Sequence, residues 1–402
     1  MHLTSLAPYM QWAKQHPPTR WDLTNSNLLA CGLDDLPGAR EALELQGDND
    51  EGYGPLLEAI AARYGVSPDR VAASQGASGA NFLVYFALVG PGDEVLVERP
   101  GYDPLYGPIA RLGGRVTRFD RRVEDGWRLD PEAVERSLTP RTRLIVITNT
   151  HNPTGALAAD EELEAVGRLA ERVGAFVMVD EVYLDSVPGG PWKTAAARGP
   201  AFITTSSLTK SYGLAGLRCG WVLAAPEVAE RTRRARDVVD GSGAFPAERL
   251  SLLAFERLDA LASRARSILA PNHAALGRFL DAHPEIECVR PAGGTTAFPR
   301  LRGVTDADPL VERLRRDFDT GVVPGRFFQA PAHFRIAVGG RAEVLEEGLR
   351  RIGEAIRKGL GAGGWQPAPG PSDPPTYLIA TSSISKISVA PGWMSAPAPR
   401  SP

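Results

Sequence analysis

Arg143-Leu-Ile-Val-Ile-Thr148 sets four large aliphatic side chains in a row with no polar residue between them. A strand wetted on one face alternates apolar with polar, so a continuous β-branched run requires cover on both faces. Ala175-Phe-Val-Met-Val179 repeats the pattern and stops at Asp180-Glu181, and Glu94-Val-Leu-Val-Glu98, Phe202-Ile-Thr-Thr205 and Gly220-Trp-Val-Leu-Ala224 are shorter versions. Helical patterns fall between these runs. One covers residues 56–64. After a short strand near residues 71–74, an apolar helix opens at Ala77-Ser78 and is halted by Gly90-Pro91-Gly92, and a charged helix spans about residues 160–173. Alternation of this kind over residues 50–285 predicts an α/β domain on a mostly parallel sheet, with ligands at the carboxyl ends of its strands.

The length of 402 residues exceeds one ordinary core. The expected division is a large domain over residues 47–285 and a smaller α+β domain built from both chain ends, residues 1–46 and 286–360. Arg-rich amphipathic helices extend to about residue 283, and Phe334-Arg-Ile-Ala-Val338 reads as a strand of the smaller domain. Residues 361–402 crowd Pro and Gly around only three charges, Asp373, Lys386 and Arg400, which predicts a disordered tail. The stretch Gly359-Leu-Gly-Ala-Gly-Gly364 fits G-x-G-x-x-G, but precedes no helix and is rejected as a dinucleotide site.

Charge excludes some classes. With 45 Lys+Arg against 48 Asp+Glu and a net charge of -3, the chain has no basic stripe for nucleic acid. Cys31, Cys219 and Cys288 lie too far apart to suggest a metal site, and are expected to be buried free thiols. The start lacks the pattern of a secretory leader, and the uncharged stretch 71–92 is too polar to span a membrane, so a cytoplasmic protein is expected. Only five of the basic residues are lysines: Lys14, Lys193, Lys210, Lys358 and Lys386. A lysine in an otherwise uncharged segment therefore needs a reason, and no charge separates Arg198 from Lys210.

Polar groups stand where the predicted strands end. Asp180 closes an apolar run, where an unpaired carboxylate is costly. Asn152-Pro-Thr-Gly155 follows one strand, Ser207-Leu-Thr-Lys210 another, and Gly76-Ala77-Ser78 leads into a helix N-terminus suited to a phosphate. Taken singly these are a turn, an N-cap and a strand-end ion pair. Taken in order, with Asp180-Glu-Val-Tyr183, Ser207-Leu-Thr-Lys210-Ser-Tyr-Gly-Leu-Ala-Gly-Leu-Arg218-Cys-Gly220 and Phe334-Arg335-Ile-Ala, the chain resembles the class I/II pyridoxal-phosphate-dependent aminotransferases of fold type I, the aspartate aminotransferase superfamily. The resemblance covers about residues 23–357.

It implies pyridoxal 5'-phosphate as cofactor, amino acid and 2-oxo acid substrates, a ping-pong Schiff-base cycle and a homodimer. It makes Lys210 the Schiff-base lysine and proton carrier, Asp180 the partner of the pyridine nitrogen, and Asn152 and Tyr183 the partners of the phenolic oxygen. Ala77, Ser78, Ser207 and Arg218 would hold the phosphate, Tyr102 would lie on the pyridine face with Tyr106 as competitor, and Arg335 would clamp the substrate α-carboxylate. Departures occur too. Asn149-Thr150 stands where the family often has Asn-Pro, and Asp22-Leu-Thr-Asn-Ser-Asn27 replaces a glycine-bearing substrate loop, so side chains there could narrow the pocket or add polarity. The same scaffold serves carbon–sulfur lyases and aminocyclopropane carboxylate synthases, which share every residue named. A cofactor-sensing regulator would need a winged helix that the sequence before Gly52 does not suggest, and an α/β hydrolase fails because Ala80 breaks G-x-S-x-G.

Overall fold

The structure is a computed structural model that describes residues 7–360; the tail expected over residues 361–402 lies outside them. Seven strands form the central sheet: β1 (Val71–Gln75), β2 (Glu94–Arg99), β3 (Arg115–Asp120), β4 (Thr142–Thr148), β5 (Phe176–Asp180), β6 (Phe202–Ser207) and β7 (Cys219–Leu223), in the order β1-β7-β6-β5-β4-β2-β3. From β3 to β6 all neighbours are parallel, and β7 alone runs antiparallel to both β6 and β1. The α/β class and mostly parallel sheet expected from the sequence are therefore observed. The sequence reading passed over β3, because Arg115-Val-Thr-Arg-Phe-Asp120 carries the charges of an edge strand instead of an apolar run.

Both faces of the sheet are covered, as the continuous runs require. Val95, Val97, Leu144, Val146, Met178 and Ile203 pack with Val84 and Tyr85 of helix α3 (Gly76–Leu88). Leu96, Ile145, Ile147, Val177 and Val179 pack on the opposite face with Leu163, Val166 and Ala170 of α4 (Asp160–Val173). Each of these side chains buried in full contributes about 1.5–3 kcal/mol. The register then fixes the site: Thr148 pairs with Asp180, and Asp180 with Thr205, so three polar residues stand side by side at the carboxyl ends.

Helices α1 (Pro8–Gln15) and α2 (Gly54–Tyr64) precede the sheet, and α5 (Pro226–Val239), α6 (Phe245–Phe255) and α7 (Leu258–Ala282) follow it. A separate apolar cluster joins Phe334, Ile336 and Val338 to Leu310 and Leu314 of α8 (Asp308–Phe318) and Leu345, Leu349 and Ile352 of α9 (Ala342–Leu360). There β10 (Phe334–Ala337) lies between β8 (Thr296–Ala297) and β9 (Val323–Pro324), antiparallel to both. The N-terminal chain is stitched to this part: Trp21–Asp22 pairs in parallel with Thr320–Gly321, and Leu23 exchanges backbone bonds with Gly321 and Ala337. Leu28 N–H in turn donates to the carbonyl of Lys210 at 3.1 Å.

All three cysteines are free, but only Cys219 is buried; Cys31 and Cys288 are half-buried, which corrects the expectation for those two. Among the described residues no helix is long and apolar enough to cross a membrane, and no cluster of His, Cys, Asp or Glu is suited to a metal.

Candidate active site

A cavity of ≈ 380 Å³ opens at the carboxyl ends of β4, β5 and β6, and Ala77, Ser78, Tyr102, Asn152, Asp180, Tyr183, Ser207, Lys210 and Arg218 all line it. Tyr106 does not; its ring faces the Arg118 guanidinium at 4.4 Å.

Asp180 sits at the last position of β5, buried, because the register carries the strand one residue past its apolar run. Asn81 Nδ2 donates to Asp180 Oδ2 at 2.8 Å, and Val182 N–H donates to Oδ1 at 3.1 Å. The hydroxyl of Thr205 donates to Asn81 Oδ1 at 2.5 Å, which turns the Asn81 amide so that its nitrogen faces the carboxylate. Burial pushes the Asp180 carboxyl above its ordinary range, opposed by these bonds and by the charge of Lys210. Sequence reasoning missed Asn81, although an asparagine between Ala80 and Phe82 in an otherwise apolar helix was the available signal.

Lys210 Nζ donates to Ser26 Oγ at 3.0 Å and to Asn27 Oδ1 at 2.7 Å. Burial lowers its ammonium to about 7, helped by the positive charges of Arg335 and Arg218 and resisted by Asp180. Tyr183 also donates to Ser26 Oγ, at 3.2 Å, and burial holds its phenol up at about 12. The polarity expected of the Asp22–Asn27 segment thus falls on the lysine itself.

Arg335 is placed by its strand. It lies on the central strand β10 and its side chain has no exposed surface. Its Nη2 donates to Tyr9 Oη and to the carbonyl of Thr24, each at 2.9 Å, and Nη1 donates to Asn152 Oδ1 at 3.3 Å. Its buried Nε has no partner. Tyr9 comes from α1, 326 residues away in sequence, and no local pattern announced the contact.

At the other end Gly76 begins α3 with φ +75°, and its preceding residue Gln75 makes no side-chain cap. The first-turn amides of α3 are therefore left facing a helix-dipole site for an anion. A Cβ on Gly76 would come within 2.6 Å of Arg218 Nη2, so this glycine makes room for the guanidinium, and one on Gly220 would come within 2.4 Å of the Gly76 backbone, so that glycine lets the two chain segments approach. Uncapped amides with an arginine at one end, a buried carboxylate in the middle and an amine held near neutrality fit the phosphate, ring nitrogen and aldehyde of pyridoxal phosphate. The cavity has room for it and a small acid together.

Sheet order and site together define a pyridoxal-phosphate enzyme of fold type I. The chain belongs to the aminotransferase class I and II family, whose sequence pattern matches residues 31–352, and it is a pyridoxal-phosphate-dependent aminotransferase acting between amino acids and 2-oxo acids. It is 32% identical over 326 residues to capreomycidine synthase of Streptomyces vinaceus, covering 80% of this chain and 84% of that one. It is 30% identical over 331 residues to a probable N-succinyldiaminopimelate aminotransferase of Mycobacterium tuberculosis, covering 75% and 82%. Its fold is similar to a pyridoxal-phosphate-dependent aminotransferase from Streptococcus suis, with a TM-score of 0.83, 27% identity and coverage of 88% and 99%. Aspartate aminotransferase from Thermus thermophilus superposes with a TM-score of 0.77 at 25% identity, covering 88% and 97%.

Proposed function

We propose that the chain moves an amino group from an L-amino acid to a 2-oxo acid in a ping-pong cycle, with Lys210 as the amine that holds the cofactor and carries the proton. The observation that supports this most is the half-buried Lys210 amine, set in one cavity with Asp180 and Asn152. When bound, pyridoxal phosphate supplies an electron sink for the pair released as the substrate α-C–H bond breaks. Asp180, anchored by Asn81, keeps a negative charge where the ring nitrogen would lie. Asn152 and Tyr183 donate to the phenolic oxygen, and Tyr102 covers the ring. Ala77, Ser78, Ser207 and Arg218 hold the phosphate. Arg335 does not line the cavity but lies behind Tyr9 and Asn152 with Nε unpartnered, and would take the α-carboxylate once Tyr9 yields, so pointing the α-hydrogen at Lys210. An amine near pH neutrality is suited to taking that proton and returning it.

The relatives are named for different substrates, aspartate or prephenate and N-succinyldiaminopimelate, so we carry over the reaction and not a substrate. Likeness to capreomycidine synthase favours a second reading, a synthase on the same scaffold. We further propose a cytoplasmic homodimer. The exposed Leu43, Leu45, Val238 and Val239 supply apolar surface for a partner copy. We propose also a large domain over residues 47–285 and a small one from both ends, the latter's apolar cluster drawing Leu276 and Phe279 from the end of α7.

The test is spectroscopic. The visible band of the purified holoenzyme should be lost on adding a single amino acid and regained on adding a 2-oxo acid, with Lys210→Ala showing neither. Release of ammonia and pyruvate would select a lyase, and an amino acid product rearranged in its side chain the synthase reading.

A further inference from the structure

We infer that Asn27, together with Ser26, is a positioning residue for Lys210: two uncharged oxygens hold the lysine amine and fix the direction in which it gains and gives up a proton. The inference rests on the aminotransferase reading above, which makes Lys210 the amine that holds the cofactor and carries the proton. It concerns the segment in which Asp22-Leu-Thr-Asn-Ser-Asn27 stands in place of a glycine-bearing loop.

Lys210 Nζ reaches Asn27 Oδ1 at 2.7 Å and Ser26 Oγ at 3.0 Å. Of the tetrahedral positions of Nζ, one is the bond to Cε and two are directed at these oxygens, so the last is set by the others. In the neutral amine it carries the lone pair, and in the ammonium the proton that exchanges. An uncharged acceptor bonds to either form, to the ammonium only somewhat more strongly. A carboxylate in the same place would favour the ammonium far more and keep the proton on it. The charged and titratable groups around the amine are Asp180 of β5, Arg218, Arg335 of β10 and Tyr183, whose ring centre lies 6.0 Å from Nζ. Among the described residues the hydrogen bonds of Nζ go to Ser26 and Asn27, so these two aim the amine while the others set the field around it.

The two acceptors are themselves held in place. Leu28 N–H donates to the carbonyl of Lys210 at 3.1 Å, so the backbone next to Asn27 is bound to the residue whose side chain Asn27 receives. Thr295 Oγ1 donates to the Ser26 carbonyl at 2.6 Å, Tyr183 Oη to Ser26 Oγ at 3.2 Å, and Leu29 N–H to the carbonyl of Gly339 at 2.7 Å. A Cβ on Gly339 would come within 2.6 Å of the Asn27 carbonyl, so the segment packs directly on that backbone. These contacts fix the segment without the Asn27 side chain, whose one hydrogen bond among the described residues is to Lys210. Its amide therefore acts on the amine and not on the loop.

The experiment reads the amine directly. Full-length protein freed of cofactor is given a trace of acetic anhydride at a series of pH values, and acetylation of Lys210 is followed by mass spectrometry against that of the exposed Lys14 and Lys193. The wild-type midpoint should lie at about 7. Asn27→Asp, which sets a carboxylate in place of the amide, should raise it by at least about one unit, whereas Asn27→Leu and Ser26→Ala, which each remove an acceptor, should lower it by about half a unit. In the holoenzyme, Asn27→Leu should slow discharge of the cofactor band by a saturating amino acid about tenfold and leave the half-saturating concentration within about twofold of wild type. A midpoint left in place by either Asn27 variant, or moved by both in the same direction, overturns the inference, as does a loss at Asn27→Leu confined to half-saturation. Asn27→Asp keeps the shape of the side chain, so it decides even where Asn27→Leu fails to fold. If no amino acid discharges the wild-type band, the aminotransferase assignment fails instead, while the midpoints of the cofactor-free chain still decide how Lys210 is held.

Discussion

The two ends of the cavity are held by different physics. At the cofactor end, Thr148, Asp180 and Thr205 are neighbours by strand register, and Asn81 ties the middle one to α3, so position follows from a hydrogen-bonded sheet closed on both faces. At the substrate end, eight residues of α1 are held by ring edges, one carboxylate and the hydroxyl of Tyr9 on Arg335. The strand register sets the first end, and the second depends mainly on side-chain contacts between segments far apart in sequence. An enzyme family that keeps one cofactor and varies its substrates is served by that division.

Exchanging charge geometry at the substrate end should leave the cofactor end intact. Arg335→Lys keeps the cation but loses the planar fork, and should raise KM for amino acids by about 10- to 100-fold. The cofactor band should keep its position. A lost band would mean that the two ends are not independent.

The pH dependence of cofactor uptake probes the other end. Burial lowers Lys210 to about 7, so the neutral amine, the form that attacks an aldehyde, predominates above that pH. The rate at which cofactor-free protein regains the visible band should fall about tenfold per unit below pH 7 and level off above it. A rate still climbing steeply at pH 9 would place the amine in water and break the contrast.

The smallest effect is expected at Asn81. Asn81→Leu deletes the donor to Asp180 and strands the hydroxyl of Thr205. Cofactor affinity should fall several-fold, with the pH midpoint of the cofactor band displaced, while the affinity for an unreactive carboxylic acid at the substrate end stays unchanged. Asn81→Asp, which adds a second negative charge beside Asp180, should be worse than Asn81→Leu.

The same division decided what could be read from the chain. Asp180 and Lys210 were legible because each is a charge in a segment that otherwise excludes charge, and burial makes such exceptions costly unless they have a use. Arg218 and Asn152 were picked out through the resemblance of their motifs to the family, Arg218 also by its spacing from Lys210. The role of Asn81 depends on β5 and β6 meeting α3, a packing fact that one polar residue in an apolar helix hinted at without naming its partner. Tyr9 gave no signal at all, since its partner lies 326 residues on. Edge strand β3 escaped notice because half its residues are charged, and α1 because eight residues around a proline leave little periodicity to detect.

That long interval has a bearing on how the protein is made. Tyr9 is synthesised 326 residues ahead of Arg335, and its segment is stitched to Thr320–Gly321 and the backbone of Ala337, which come similarly late. At ordinary elongation rates the gap amounts to about 15–65 s. Once Leu223 has been made the seven strands are all present, while the aromatic face of α1 still waits for Arg335. The nascent chain can therefore close the sheet around Asp180 before it can dock Tyr9.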